Sequence, residues 1–354
     1  MLKVLDMFCG CGGLSLGFEQ TGKYKIVAGV DNYEDALKTF ELNHNGAKGL
    51  NVDLFAEDFI DKIKSGIGDN EIDIVVGGPP CQGFSLTGPR NFDDKRNTLY
   101  LAMVKTVAEF KPKAFLVENV PGLVSMYNGE VKNKIIERFT ELGYKVQYRI
   151  LVAADYGVPQ TRRRVFFIGI RNDIAKDFEY PEPKLSEQEY VTTADALSDL
   201  PDCVKDLGAE IGEYDKKPVT EYQKKMRNNS GVLYNHLASL HSEKVTSVIA
   251  QVPDGGNYKD LPPGVGDSRK FHVAWTRYNS KKPSNTIDTG HRNHFHYKWN
   301  RVPTVRENAR LQSFPDNFRV LGSKTSQFRQ VGNAVPPLLA QAVAESLYKT
   351  IGEQ

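Results

Sequence analysis

The first half of the chain alternates short β-like runs with amphipathic helical segments, and no other feature restricts the possible folds as much. Strand-like runs fall near residues 3–7, 25–30, 49–52, 72–76, 114–117, 146–152 and 164–170, with helical periodicity over 33–43, 98–110 and 131–142 between them. Parallel neighbours in a sheet need a crossover long enough to hold a helix, so this alternation calls for a mostly parallel sheet with helices on its faces. Only residues 153–163 separate the last two runs, too few for a helical crossover, so these two are expected to pair antiparallel. The expected fold class is α/β, a doubly wound, mostly parallel sheet, followed by a smaller irregular domain.

After Arg171 the pattern breaks. Residues 179–303 are rich in Pro, Gly, Lys and Tyr without clean periodicity, which reads as short strands and long loops. A helical pattern returns over 333–351, where Pro336 and Pro337 lead into Leu338, Leu339, Ala342, Val343 and Leu347. The expected division is 1–178, 179–324 and a C-terminal segment, 325–354, that returns to the first domain. A length of 354 residues accommodates one large domain and one smaller one. The four cysteines form no paired framework, which fits a reducing compartment. Cys9 and Cys11 lack a second ligand pair, so no metal is expected. No signal peptide or membrane span is visible. A net charge of +2 does not select a nucleic-acid partner, but its distribution is suggestive. Arg162, Arg163 and Arg164 are consecutive, and Arg292, Lys298, Arg301, Arg306 and Arg310 bunch late. Among the late histidines, His291, His294 and His296 read as contacts to phosphate or bases, or as surface residues.

Chemistry concentrates at the ends of the expected strands. In the run from Asp73 to Ser85, an apolar strand stops at Gly77-Gly78, Pro79-Pro80 stiffen the exit, and Cys81 follows. Ligands of open α/β sheets bind beyond the carboxyl ends of the strands, so Cys81 reads as a nucleophile. The first strand runs into Phe8-Cys9-Gly10-Cys11-Gly12-Gly13, with Asp31 after the second strand and Asp53 after the third. A glycine turn with acids at those two places suits an adenosine-containing cofactor, since the acids can accept from ribose hydroxyls and an adenine amino group. Glu118 ends the fifth strand, where an acid either caps the next segment or works in the cleft. Strand alternation turns Arg162 and Arg164 to one face and Arg163 to the other.

Taken in order, these stretches resemble the DNA (cytosine-5) methyltransferases. The resemblance rests on the glycine turn, Pro79-Pro80-Cys81, Glu118-Asn119-Val120 and Gln160-Thr-Arg162-Arg-Arg164. It extends to the run from Val305 to Pro315 and to Gln330-Val-Gly-Asn333-Ala-Val335-Pro336. It covers about two thirds of the chain, and the unmatched part falls where the family keeps its variable target-recognition region. The resemblance implies a sequence-specific methyltransferase acting on carbon 5 of a flipped-out cytosine in double-stranded DNA. Cys81 would be the nucleophile and Glu118 the acid at the ring nitrogen, with Arg162 and Arg164 holding the base and the catalytic groups. S-adenosyl-L-methionine would be held by Phe8, Gly10, Cys11, Gly12, Gly13, Asp31, Asp53, Pro80, Leu99, Asn333 and Val335. DNA contacts are expected from Gln82, Ser85, Thr87, Arg90, Thr286 and Arg292. Asn32 departs from the family, which usually has an apolar side chain there to cover the adenine. The resemblance further implies a monomer working in a bacterial cytoplasm beside a cognate restriction endonuclease. A tRNA-methylating branch of the family and a catalytically silent DNA-binding regulator are the competing readings. The Cys-Phe-Thr typical of the first is absent, and intact Cys81, Glu118, Arg162 and Arg164 argue against the second.

Overall fold

The structure is a computed structural model that describes residues 1–80, 99–266, 275–290 and 293–352. The chain divides into two compact units, one comprising Met1–Val152, Arg163–Glu182 and Leu339–Gln354, the other Ala153–Arg162 and Pro183–Leu338.

The first unit is built in the order β1 (Leu2–Met7), α1 (Gly13–Gln20), β2 (Tyr24–Asp31), α2 (Glu34–Asn43), β3 (Lys48–Asn51), α3 (Phe59–Ile67), β4 (Ile74–Gly77), α4 (Leu99–Phe110), β5 (Ala114–Asn119), α5 (Glu130–Glu141), β6 (Tyr144–Val152) and β7 (Arg163–Arg171). The strands form one sheet in the order β3-β2-β1-β4-β5-β7-β6. β1 pairs parallel with β2 and β4, whereas β7 runs antiparallel to both β5 and β6. The doubly wound sheet and the antiparallel final pair are as expected from the sequence. β4 and β5 are buried along their whole length, as strands covered on both faces must be. From β1 the chain builds outward to β3, then returns to place β4 on the other side of β1. The switch point therefore lies at the carboxyl ends of β1 and β4.

Two helices are not among the elements expected from the sequence. α1 is short and glycine-rich, whereas α3 carries a legible one-sided period, burying Phe59, Ile63 and Ile67 at i, i+4 and i+8. Behind the sheet the core joins Leu5, Ile63, Val75, Met103, Phe139 and Phe167. Phe115 stacks on Phe139 with ring centroids 3.9 Å apart. Its ring also occupies the place of any side chain on Gly169, the residue paired with it across β5 and β7, where a Cβ would lie 2.0 Å from the ring. Truncating Phe115 would cost about 3–5 kcal/mol by the usual penalty for a large core cavity.

The second unit is more helical than its composition suggests. It contains α6 (Thr193–Leu197), β8 (Gly208–Gly212), α7 (Glu221–Arg227), β9 (Leu233–Leu237), α8 (Glu243–Ala250), β10 (Thr276–Arg277), β11 (His294–Phe295), α9 (Val305–Leu311) and α10 (Lys324–Asn333). Helices of one or two turns are too short to show periodicity, but their caps are legible. Thr192, Thr220 and Thr304 each close a capping box with Asp195, Gln223 and Glu307. Three of the bunched late basic residues prove to be internal ties, while Lys298 is exposed. Arg301, Arg306 and Arg310 are buried, as are His294 and His296. Arg310 bonds Asp199 at 2.9 Å and Asp316 at 2.6 Å, and Arg301 forks onto Glu307 at 2.7 and 2.8 Å. A buried guanidinium is tolerable only when its charge and donors are met in this way. The final helix, α11 (Pro337–Ile351), continues into the first unit, where the Tyr24 hydroxyl donates to the Ala344 carbonyl at 2.7 Å.

Candidate active site

Beyond β1 the backbone makes a turn that few residues permit. Phe8, Gly10 and Gly12 have φ of 60°, 52° and 91°, and only glycine adopts such values without cost. Two of its bonds tie it to the end of β2 and a third closes the turn on itself. Cys9 N–H donates to Val30 C=O at 3.1 Å, Gly12 N–H to Cys9 C=O at 2.9 Å, and Gly10 N–H to Asp31 Oδ2 at 2.9 Å. Asp31 Oδ1 accepts from the N–H groups of Asn32 and Tyr33 at 2.8 and 2.9 Å, which locks the carboxylate at the end of β2. Below the turn, a Cβ on Gly12 would lie 2.0 Å from His44 Nε2, and the Nδ1 of that buried ring pairs with Glu19 at 2.5 Å. Above Gly10 a Cβ would meet nothing within 4 Å. A bare, open backbone edge beside a fixed carboxylate fits a nucleoside-bearing ligand that approaches the main chain closely. Asp53 lies two residues past β3, with Oδ1 held by the Phe55 N–H at 3.0 Å.

Beneath the turn, Asp6 near the end of β1 is only 1% exposed and accepts the Ser15 hydroxyl at 2.6 Å. Burial pushes its carboxyl up to about 7, against the pull of the Ser15 bond and with added repulsion from Asp31. Burial likewise pushes the Cys11 thiol up to about 12 and the Cys9 thiol well above its ordinary value, so neither is a thiolate near neutrality.

At the carboxyl ends of β4 and β5 the acid and the proline exit meet. Glu118 Oε1 bonds Arg164 Nε at 2.7 Å, both side chains being largely buried, and Arg164 Nη1 donates to the Arg163 carbonyl at 2.7 Å. A Cβ on Gly78 would lie 2.9 Å from Glu118 Oε2, so the exit of β4 passes directly against the carboxylate. Asn119 Nδ2 donates to the Pro79 carbonyl at 2.9 Å and holds that exit in place. Pro80 is exposed and Leu99 half-buried. Cys81, Gln82, Ser85, Thr87, Arg90 and Arg292 lie outside the described residues.

Within the second unit, Arg162 is buried and its Nη2 donates to the Asn333 carbonyl at 3.4 Å. Asn333 is exposed, Val335 is buried, and Thr286 is exposed beside buried Ile287. Sequence reasoning passed over Asp6, Gly78, Asn119 and Gln160 as functional groups. Gly78 lies in the glycine pair before Pro79, Asp6 just before the glycine turn, and Asn119 and Gln160 inside motifs that carry the resemblance, so each had a local signal but no stated role.

A mostly parallel seven-stranded sheet with a glycine turn and acids at its switch point defines the S-adenosylmethionine-dependent methyltransferase fold. The sequence profile of the C-5 cytosine-specific DNA methylases spans residues 2–349, and the chain belongs to that family. It is 40% identical over 355 residues to the type II methyltransferase M1.HphI of Haemophilus parahaemolyticus, covering 98% of this chain and 87% of that protein. With M.DdeI of Desulfomicrobium norvegicum it shares 37% over 372 residues, covering 98% and 88%. A candidate DNA modification methyltransferase encoded within an E. coli prophage superposes with a TM-score of 0.83 at 30% identity over the whole of both chains. The S. pombe Dnmt2 methyltransferase shares the fold, with a TM-score of 0.63 at 17% identity over 99% of each chain. Among the described residues no helix is long and apolar enough to cross a membrane. The chain is a DNA cytosine-5 methyltransferase.

Proposed function

We propose that the enzyme methylates cytosine within a specific double-stranded DNA sequence, through a covalent adduct of Cys81 with a base turned out of the helix. It would serve as the modification half of a bacterial restriction system, a cytoplasmic monomer paired with a cognate endonuclease. One observation carries the chemistry: Glu118 is bonded to Arg164 at 2.7 Å while the strand leading to Cys81 passes against its carboxyl group. Carbon 5 of cytosine is a poor nucleophile until a thiolate adds at carbon 6. The Cys81 sulfur forms that bond, and the displaced electron pair moves through the ring toward its nitrogen, where Glu118 hydrogen-bonds or protonates. Arg164 keeps the Glu118 carboxyl aimed and its charge balanced, and Arg162 contributes a second fixed cation. S-adenosyl-L-methionine, when bound, supplies the methyl group that carbon 5 takes. A base then removes the carbon-5 proton, the electron pair returns to the ring, and the carbon–sulfur bond breaks to free the thiolate.

The residues that fit the methyl donor are the open turn at Phe8 and Gly10–Gly13, with Asp31 for the ribose and Asp53 for the adenine. Pro80, Leu99, Asn333 and Val335 complete the set on the family's pattern. Residues 179–324 would choose the target. Turning the base out costs a few kcal/mol of stacking and pairing, offset by contacts in the pocket.

Bisulfite sequencing of DNA from cells expressing the protein should reveal one methylated sequence. DNA carrying 5-fluorocytosine at that position should then become covalently attached to the peptide containing Cys81, only with cofactor present, because fluorine cannot leave carbon 5 as a cation. An adduct on another cysteine, or none despite normal turnover, would overturn the covalent route. Absence of any methylated sequence would overturn the activity on DNA.

A further inference from the structure

We propose that Gln160 is a positioning residue whose side-chain amide couples the DNA-reading segment around Thr286 to the cofactor-holding segment Asn333–Val335. The inference rests on the function proposed above.

Gln160 has no exposed surface, and its amide is engaged on both sides. Its Oε1 accepts the Ile287 N–H at 3.3 Å. Its Nε2 donates to the Leu311 carbonyl at 3.1 Å and to Gln312 Oε1 at 2.6 Å. Gln312, equally buried, passes the connection on, since its Nε2 donates to the Ala334 carbonyl at 2.5 Å. A backbone donor stands at one end and a backbone acceptor at the other, so neither amide can flip without facing like against like. Four groups therefore form one directional relay, Ile287 to Gln160 to Gln312 to Ala334, in a low-dielectric interior where each bond polarises the next.

What stands at each end gives the relay its meaning. Ser284 is pinned to the Gln160 segment by its N–H and hydroxyl on the Pro159 carbonyl, at 2.9 and 3.1 Å, and by Thr161 N–H on its own carbonyl at 2.9 Å. Ile287 is held by Gln160. Between those two buried anchors Asn285 and Thr286 are exposed, as side chains that read DNA must be. At the far end Ala334 lies between Asn333 and Val335, and the Asn333 carbonyl also accepts from Arg162, two residues beyond Gln160. A displacement of the 284–287 segment cannot occur without moving the Gln160 amide, and through Gln312 the Ala334 carbonyl. An apolar residue of similar size would fill the same space without this constraint.

By linkage, DNA that fixes the Thr286 segment should tighten the cofactor's seat, and the cofactor should tighten DNA binding by the same factor, on the order of tenfold. The test is calorimetric titration of S-adenosylhomocysteine into the full-length protein, alone and saturated with the target duplex. The wild type is compared with Gln160→Met and Gln312→Met, the second serving as the independent variant should the first not fold. In the wild type the duplex should tighten S-adenosylhomocysteine about tenfold. In either folded variant the ratio should fall toward one while affinity without DNA stays near the wild-type value. A variant that keeps the wild-type ratio overturns the proposal. So does one that weakens both measurements equally, since that marks a purely structural amide. Wild-type protein that binds duplex and S-adenosylhomocysteine independently overturns the coupling but leaves the methyltransferase reading intact. Failure of that reading would appear separately, as wild-type protein that methylates no DNA, and would remove the coupling with it.

Discussion

Replacing Asp6 with asparagine should stabilise the protein above neutral pH, with a gain that shrinks through mild acid and vanishes near pH 4. Asp6 is 1% exposed under the glycine turn, and burial raises its carboxyl from 3.8 to about 7. The native state thus keeps a proton that the unfolded chain has already released. The contribution of Asp6 is fully present below pH 3.8 and is lost as pH rises through about 7. A shift of about three units, at ~1.4 kcal/mol per unit, sets a ceiling of ~4 kcal/mol on what the wild type has lost by pH 8.5. Asparagine carries no charge and can still accept the Ser15 hydroxyl, so the variant escapes that loss. The assay is urea unfolding of both proteins from pH 4.5 to 8.5, read as the difference in stability at each pH. Buried His296, pushed down to about 3 by desolvation, titrates in the opposite sense, losing its contribution as pH falls from 6.5 toward 3. Both proteins share it, so it cancels in the difference. The variant should gain progressively from about pH 4 to about 7 and then level off. A difference that does not change with pH, or a variant that is less stable at pH 8.5, would refute the assignment of a buried, protonated Asp6.

Other perturbations follow from the same geometry. Gly12→Ala places a methyl group 2.0 Å from His44 Nε2 at a φ of 91°, so S-adenosylhomocysteine binding measured by calorimetry should be lost, with a fall in stability of at least ~1–3 kcal/mol. Gly78→Ala pushes against Glu118 Oε2 from 2.9 Å, and kcat should fall on the order of a hundredfold while the melting temperature barely moves. Arg310→Met leaves buried Asp199 with Arg227 alone, at 2.7 Å, and buried Asp316 with only the more distant Arg306, at 3.8 Å, and urea unfolding should show a loss of about 3 kcal/mol. Cys203→Ser should leave turnover unchanged, because the Cys203 thiol is buried and burial raises it to about 11, far from any nucleophilic role.

The strands and their class were legible in the sequence because the signals are local. A buried strand announces itself within its own few residues, as Ile74-Val-Val-Gly77 does. The link over 153–163 is too short to cross over, whatever surrounds it, which dictated the antiparallel pairing of β6 and β7. The glycine turn, the acid that closes β2 and the acid beyond β3 were visible for the same reason, since each depends on its position beside a strand end. Short capped helices such as α6 and α7 were missed because one or two turns cannot display a period.

Long-range packing decided the rest. No local pattern states that β4 lies beside β1, or that Glu118 meets Arg164 across β5 and β7. Nor does one state that Gly78 is a glycine because a carboxyl oxygen occupies the space a side chain would need. The late arginines show the limit most plainly. As a sequence they look like a basic surface, but Arg301, Arg306 and Arg310 are buried against acids and carbonyls supplied from distant parts of the chain. Whether a charge faces water or an opposite charge is set by which segments fold over it. That depends on the whole tertiary structure, because burial and electrostatic pairing are properties of space and not of neighbouring positions in the chain.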